Sequence, residues 1–327
     1  RENAGLHDMT SFNKMEVVGA DAGEFLQYLC TNDMDLDVGD VKYTLMCNEA
    51  GGVRADITVT RTDEDRYLVL TTGREVGNNH VAWVREHAPD GVVVNDVTSS
   101  YAAMVCTGPN ARKILSTVTD VDLSDDAFPF FTSQEFFVKN VPVTALRVSY
   151  AGELGWELYT PSEYGERLWE LLLDAGEEYG LRPYGNGALN ALRIEKGFRL
   201  WGADLHTEHT PAEAGLGWAV DFDTDFVGKD ALAQAPATAA DGGEPRHEVA
   251  CLTLDDADET ILPHRPVFAP GEDDSLGHVH SAEYGYSVGA CVAYTYLPPE
   301  FAQPGTDVEI LYEGDRYDAT VREEPLV

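Results

Sequence analysis

Apolar residues in this chain recur at strand spacing in some stretches and at helix spacing in others, without a regular strand-helix-strand repeat. Residues 14–18 partly alternate apolar and polar and predict a first strand. Asp21 and Glu24 then stand in capping-box spacing before Phe25, Leu26, Leu29 and Cys30, which mark one face of a helix closed by Asn32-Asp33. Residues 42–47, 56–60 and 67–71 predict a β-meander, broken by Asn-Glu-Ala-Gly-Gly and by a charged turn over 62–66. A helix over 76–87 stops at Pro89, and strands follow at 92–95 and 102–106. Gly108-Pro109 opens a helix through Leu115, since proline suits a first helical turn.

The second half begins with a hairpin-like pair, 135–138 and 141–149. Ser162 is a predicted N-cap for a helix whose stripe is Leu168, Trp169, Leu172 and Leu173, with Pro183 beyond its end. The next helix places Leu189, Leu192 and Lys196 near one another and points Arg193 along its edge. Residues 235–246, AQAPATAADGGEPR with its flanks, carry Ala, Pro, Gly and Asp without period and predict a linker. After it come short strands at 249–254, 266–269, 277–280, 290–294, 307–312 and 317–322, the last two joined around Glu313-Gly314-Asp315. That spacing predicts a small all-β barrel, and the intermixed elements before it predict an α+β fold.

Composition narrows the setting. A hydrophobic fraction of 43% in 327 residues supports two or three folded domains, and no apolar run approaches the ~20 residues that cross a bilayer. The formal charge is −36, spread along the chain, while lysine occurs only at Lys14, Lys42, Lys113, Lys139, Lys196 and Lys229. Such a surface repels itself in dilute buffer, and molar salt, with a Debye length of ~3 Å, removes that penalty. A halophilic, high-salt cytoplasm is the expected setting, and the same charge disfavours nucleic acid. Cys30, Cys47, Cys106, Cys251 and Cys291 are far apart and read as small buried hydrophobes. His206-x-x-His209 and His278-x-His280 are the only close histidine pairs; they give weak support for ligation, His206 and His209 read as surface residues, and no metal is expected.

Three segments then carry a resemblance: YTLMCNEAGGVRADITVT from Tyr43, SYAGELGWELYTP from Ser149, and LRIEKGFRLWGADLHTEHTPAEAGLGW from Leu192. Together they resemble the aminomethyltransferase superfamily, the T-protein of the glycine cleavage system and its relatives, over essentially the whole chain. The wording is nearest to the C-terminal, folate-binding half of dimethylglycine and sarcosine dehydrogenases. The resemblance implies a T-protein-like multi-domain ring around a folate pocket, with a discontinuous first domain over 1–14 and 96–235, a second over 15–95, and the barrel over 248–327. It implies tetrahydrofolate as cofactor, accepting a one-carbon unit from a small-molecule amine to give 5,10-methylenetetrahydrofolate.

The same resemblance assigns residues. Asp56 matches the carboxylate facing the reactive folate nitrogens, where it can orient the amine and stabilise the cation that develops during transfer. Glu157 matches the glutamate that holds the pterin, whose adjacent N–H donors suit a forked carboxylate. Arg193 matches an arginine lining the pocket, paired to the anionic folate tail or to a pocket carboxylate. Tyr43 and Trp218 match aromatic positions flanking the ligand, and Tyr150 joins them unless it, like Trp156, is plain strand packing.

The family's opening segment does not stand before the Arg-Glu-x-x-Gly-Leu-x-Asp stretch, and no Gly-x-Gly-x-x-Gly fingerprint occurs within these residues. A flavin-dependent oxidation is therefore expected elsewhere, in an upstream FAD-dependent dehydrogenase domain of a longer protein, or a lipoyl carrier protein serves as donor. Two other functions stay open: a tetrahydrofolate-dependent demethylase, which handles an intact methyl donor, and a non-catalytic folate-binding module. Against the latter, Lys196-Gly197 is followed by Phe198 where the iron-sulfur assembly relatives carry cysteine.

Overall fold

A computed structural model describes residues 1–234, 247–257 and 259–327; the linker expected at 235–246 lies outside the described residues. In chain order the first half comprises β1 (Ala4–Asp8), β2 (Phe12–Val18), α1 (Ala22–Leu29), β3 (Val41–Cys47), β4 (Val53–Asp63), β5 (Arg66–Gly73), α2 (Arg74–His87), β6 (Val93–Asp96), β7 (Tyr101–Thr107) and α3 (Ala111–Ser116). There follow β8 (Ser133–Val138), β9 (Val141–Leu146), β10 (Gly155–Pro161), α4 (Gly165–Gly176), β11 (Leu181–Pro183), α5 (Asn186–Glu195) and α6 (Lys229–Gln234). The C-terminal strands are β12 (Glu248–Leu254), β13 (Pro266–Phe268), β14 (Ser275–Gly285), β15 (Ala290–Leu297), β16 (Asp307–Tyr312) and β17 (Asp315–Arg322).

The strands form three sheets. One runs β11-β1-β7-β10-β9-β8, a second β3-β4-β5-β2-β6, and the C-terminal six close as β12-β15-β14-β13-β16-β17. Mixed helix and sheet followed by a closed barrel is the class that the patterning predicts. By contacts the chain divides into two compact units, Arg1–Thr44 with Asp56–Asn186, and Leu45–Ala55 with Gly187–Val327.

In the first unit β10 is a central strand, buried on both faces. Successive side chains point to opposite faces. Trp156 and Leu158 therefore pack with Leu6, Met104, Leu168 and Leu172 in a helix-covered core, while Tyr159 faces a second cluster with Met9, Ala103, Val105 and Leu146. The α4 stripe forms as its spacing predicts: Leu168 and Leu172 are fully buried, and Trp169 and Leu173 pack at the margin. Burial of each leucine stabilises the unit by about 1.5–3 kcal/mol. Trp156, with no exposed surface, meets Phe128 edge-on at 6.2 Å between ring centroids and is strand packing as expected.

In the second unit the barrel is filled by Leu252, Val267, Val279, Ala293, Val308, Ile310 and Val321. Helix α5 lies against it through Ile194, which packs with Cys251, Val292 and Tyr294. Its last residue, Glu195, is buried and accepts the backbone N–H of Ser287 at 2.7 Å.

Several local expectations are corrected. Strands β1 and β11 were not anticipated; each is short, and β1 gains its place only by pairing with β7 and, in parallel, with β11. Asp21 precedes α1 with φ −98° and ψ 10° and makes no side-chain cap bond, because the capping box needs an extended N-cap. Ser162 opens a 3-10 turn over Ser162–Tyr164, and α4 starts three residues later. Pro109 precedes the Asn110 cap of α3 and does not lie in its first turn. All five cysteines are buried and free, and burial pushes the Cys30, Cys47 and Cys106 thiols up to about 12.

Candidate active site

Asp56 is placed by the alternation of β4: Val53, Ala55, Ile57 and Val59 are buried on one face, and Arg54, Asp56 and Thr58 are half-buried on the other. The turn before it is built by Asn48, whose side-chain oxygen accepts the N–H groups of Ala50 and Gly52 at 3.0 and 2.9 Å. A Cβ at Gly52 would stand 2.0 Å from the Thr207 carbonyl oxygen, so the Gly-Gly of this motif serves a close backbone approach. The Tyr43 hydroxyl, on β3, donates to Asp56 Oδ2 at 3.4 Å. Burial pushes the Asp56 carboxyl up to about 6, and hydrogen bonds from its own backbone and from Tyr43 oppose the shift.

Glu157 lies on β10, one residue from core-packed Trp156 and thus on the other face. Cross-strand register sets it opposite Val105 and Leu146, and Val105 opposite His7. His7, Val105, Glu157 and Leu146 therefore form one row across β1, β7, β10 and β9. Burial pushes the Glu157 carboxyl up to about 7, opposed by the Tyr159 hydroxyl, which donates to Oε2 at 2.6 Å. Two further polar groups share this environment. The His7 ring stacks on Tyr184 at 5.1 Å with its Nδ1 3.0 Å from the Tyr184 carbonyl oxygen. Burial chiefly, with Cys106 and Glu157 adding, raises the Tyr184 phenol above its usual range. His7 Nε2 and the Tyr184 hydroxyl are buried without a hydrogen-bond partner among the described residues.

The remaining sequence-derived positions behave differently. Tyr150 sits half-buried in the turn between β9 and β10. Trp218 lies in a 3-10 turn, Gly217–Ala219, with 65% of its surface exposed, and so offers a flat ring. Arg193 was expected along the α5 edge but is 1% exposed. Its guanidinium bonds Asp204 Oδ2 at 2.5 Å, Asn190 Oδ1 at 2.8 Å, the Phe198 carbonyl at 3.0 Å and Ser281 Oγ at 2.8 Å. Arg193 is thus paired to a buried carboxylate within its own unit. The edge position was a poor guide because the segment after α5 folds back over the helix and supplies Asp204.

The structure brings Tyr43 to Asp56, and adds His7, Tyr159 and Tyr184 around Glu157. Tyr159 was legible, two residues from Glu157 on a strand and hence on its face. His7 and Tyr184 were not, because only the register of β1 and β11 carries them there. Two surface clefts of about 500 Å³, lined in one case by Arg112 and Asp122 and in the other by Asp255 and Arg316, contain none of these residues.

Comparison with known proteins agrees with this architecture. The GCVT N-terminal domain matches residues 1–224, and the glycine cleavage T-protein C-terminal barrel domain matches 247–327. The chain belongs to the glycine cleavage T-protein family. Within that family it is 32% identical to an aminomethyltransferase of Caldanaerobacter subterraneus, over 98% of this chain and 84% of that protein. It is 35% identical to the mitochondrial dimethylglycine dehydrogenase of Rattus norvegicus over its full length, which spans 38% of that relative. A crystal structure of the glycine cleavage system aminomethyltransferase T from Bartonella henselae superposes with a TM-score of 0.87 at 27% identity, covering all of this chain and 87% of that one. Among the described residues no helix is long and apolar enough to cross a membrane.

Proposed function

We propose that this T-protein family member is a tetrahydrofolate-dependent one-carbon transferase that captures the unit from a small amine donor, as the folate-handling part of a dimethylglycine- or sarcosine-type dehydrogenase. The observation that carries the reading is the Glu157 row: a buried carboxyl near neutrality, beside His7 Nε2 and a Tyr184 hydroxyl that no described protein group satisfies. Unpartnered buried polar atoms beside a buried carboxyl are groups that a polar ligand can satisfy. A flat heterocycle with N–H donors on one edge and acceptors nearby fits that set.

Glu157 would hold the pterin edge, and Tyr43 and Tyr150 offer flat faces for stacking. Trp218, whose family-implied role is stacking, has an exposed ring. Arg193, bonded to Asn190, Phe198, Asp204 and Ser281, holds the fold of its own unit. Tetrahydrofolate, when bound, supplies the amine nucleophile that takes up the carbon to give 5,10-methylenetetrahydrofolate. Asp56 holds or releases a proton at Oδ2 near pH 6 and, when ionised, stabilises positive charge developing beside it. On this reading oxidation of the amine belongs to an FAD-dependent partner domain, with a lipoyl carrier as the other donor.

The test is calorimetry of tetrahydrofolate with the intact full-length protein in molar KCl. Affinity is expected to fall about 100-fold or more in Glu157→Ala, since a charge-assisted fork is lost. Wild-type protein that takes up no folate sinks the proposal. A second readout concerns pH. Glu157 has a folded pKa near 7 against a usual 4.5, so the folded state binds the proton more tightly and stability is lost as pH climbs between those values. Relative to wild type, Glu157→Gln should gain about 3 kcal/mol between pH 4.5 and pH 8, measured by urea unfolding, at about 1.4 kcal/mol per pKa unit. A difference that does not change with pH contradicts the buried carboxyl.

The charge of −36 supports a halophilic, cytoplasmic setting at high salt. The expected result is a Tm that rises steadily from dilute buffer to molar KCl as self-repulsion is screened. A flat or falling Tm overturns that part.

A further inference from the structure

Five of the nine histidines, His206, His209, His264, His278 and His280, form a chain of ring contacts in the second unit. His206 and His209, read from the sequence as surface residues, turn inward to meet His280 of β14. One ring nitrogen from each of His206, His209 and His280 lies within 4.8 Å of the other two.

The surroundings fix these rings. His280 is 7% exposed, and its Nδ1 lies 2.9 Å from the Ala203 carbonyl oxygen, to which it donates. That bond sets the tautomer and leaves Nε2 with its lone pair, the arrangement by which an imidazole is oriented toward a metal. His209 stacks on the Tyr296 ring at 3.6 Å and 6°, and the Tyr296 hydroxyl donates to the Asp204 carbonyl oxygen at 2.7 Å. Backbone bonds from His209 N to His206 O (3.1 Å) and from Val53 N to His209 O (2.9 Å) hold the loop. His209 Nε2 is buried with no hydrogen-bond partner among the described residues.

We propose that His206, His209 and His280 form a binding site for a divalent transition metal of the zinc class. Three imidazoles and no thiolate suit zinc, nickel or copper over magnesium or calcium, which take oxygen donors. Zinc bound to three histidines keeps a fourth position for water or another ligand. Zinc–nitrogen bonds of about 2.0–2.1 Å require the nitrogens to draw together by up to roughly 1.4 Å, through rotation of the rings and movement of the His206–His209 loop. Binding would tie the loop that carries His206 and His209 to barrel strand β14.

The test uses the full chain, stripped with chelator and held in molar KCl so that the acidic surface does not collect cations. Zinc is titrated calorimetrically, and cobalt is added in a separate experiment as a spectroscopic probe. The expected result is one equivalent of zinc, a rise in Tm on binding, and cobalt visible bands of a nitrogen-ligated tetrahedral site. His206→Gln lies at the solvent side and leaves the fold intact; it should weaken zinc at least tenfold, and His206→Gln/His209→Gln should abolish both binding and the Tm rise. No binding to wild type overturns the proposal. So does binding that survives the double substitution, which would place the cation on surface carboxylates.

Discussion

Asp204→Ala is expected to cost about 3–5 kcal/mol of stability, the penalty for leaving a buried charge without its partner. Asp204 has no exposed surface, and the side chain of Arg193 is 1% exposed. The carboxylate does more than pair. Its Oδ2 also accepts the Leu200 N–H at 2.9 Å, so it fixes the start of the segment that folds back over α5. Neither partner can reach water without opening that segment. Urea unfolding in molar KCl should show the midpoint falling with an unchanged slope. The double substitution Arg193→Met/Asp204→Leu should return much of the loss, because two apolar side chains of similar volume replace a costly desolvated pair. An Asp204→Ala cost below 1 kcal/mol would contradict the buried pair. The Arg199–Glu324 pair is a useful contrast: Glu324 keeps 24% of its side chain exposed, so solvent screens it and the equivalent cost is smaller.

Asp56→Asn is expected to lower turnover by about 10²–10⁴-fold, the span usual for a positioned acid or base, with tetrahydrofolate binding retained. The amide keeps the size and the Tyr43 contact but neither ionises nor balances positive charge. Since the carboxyl titrates near pH 6, the ionised form gains population as pH rises through that value. The wild-type rate should therefore climb through about pH 6, and Asp56→Asn should lose that limb. The comparison belongs on the intact full-length protein, with kcat and the folate Kd measured separately. A variant within threefold of wild type, or one that loses folate binding alone, would remove Asp56 from the chemistry and leave it a binding residue.

Element types were largely legible because the strong periodic stretches are also the buried ones. The β3-β4-β5 meander, α4 and the six barrel strands all follow alternation or helical stripes that local residues set. The Glu313-Gly314 turn between β16 and β17 is likewise a local choice. What failed was capping and short strands. Asp21 and Ser162 carry the right side chains for N-caps, yet the backbone entering each helix is set by what packs around it.

The site divides along the same line. Asp56 and Glu157 could be named from their motifs, and strand alternation alone sets Glu157 on the face opposite Trp156. Their protonation could not be named, since it follows from desolvation among residues far away in sequence. Arg193 looked like an edge residue until Asp204, eleven positions on, returned to it.

By itself the sequence determined the periodic elements, the family and the acidic composition, and it singled out two carboxylates as candidates, because each depends on neighbouring residues or on composition. Tertiary structure decided which polar groups are buried together. Pairing of β1 with β7 and β11 brings His7 and Tyr184 to Glu157, and the fold of the 200–210 segment onto β14 gathers His206 and His209 around His280. Register and loop path, not local propensity, set those neighbours, and burial then sets their charge.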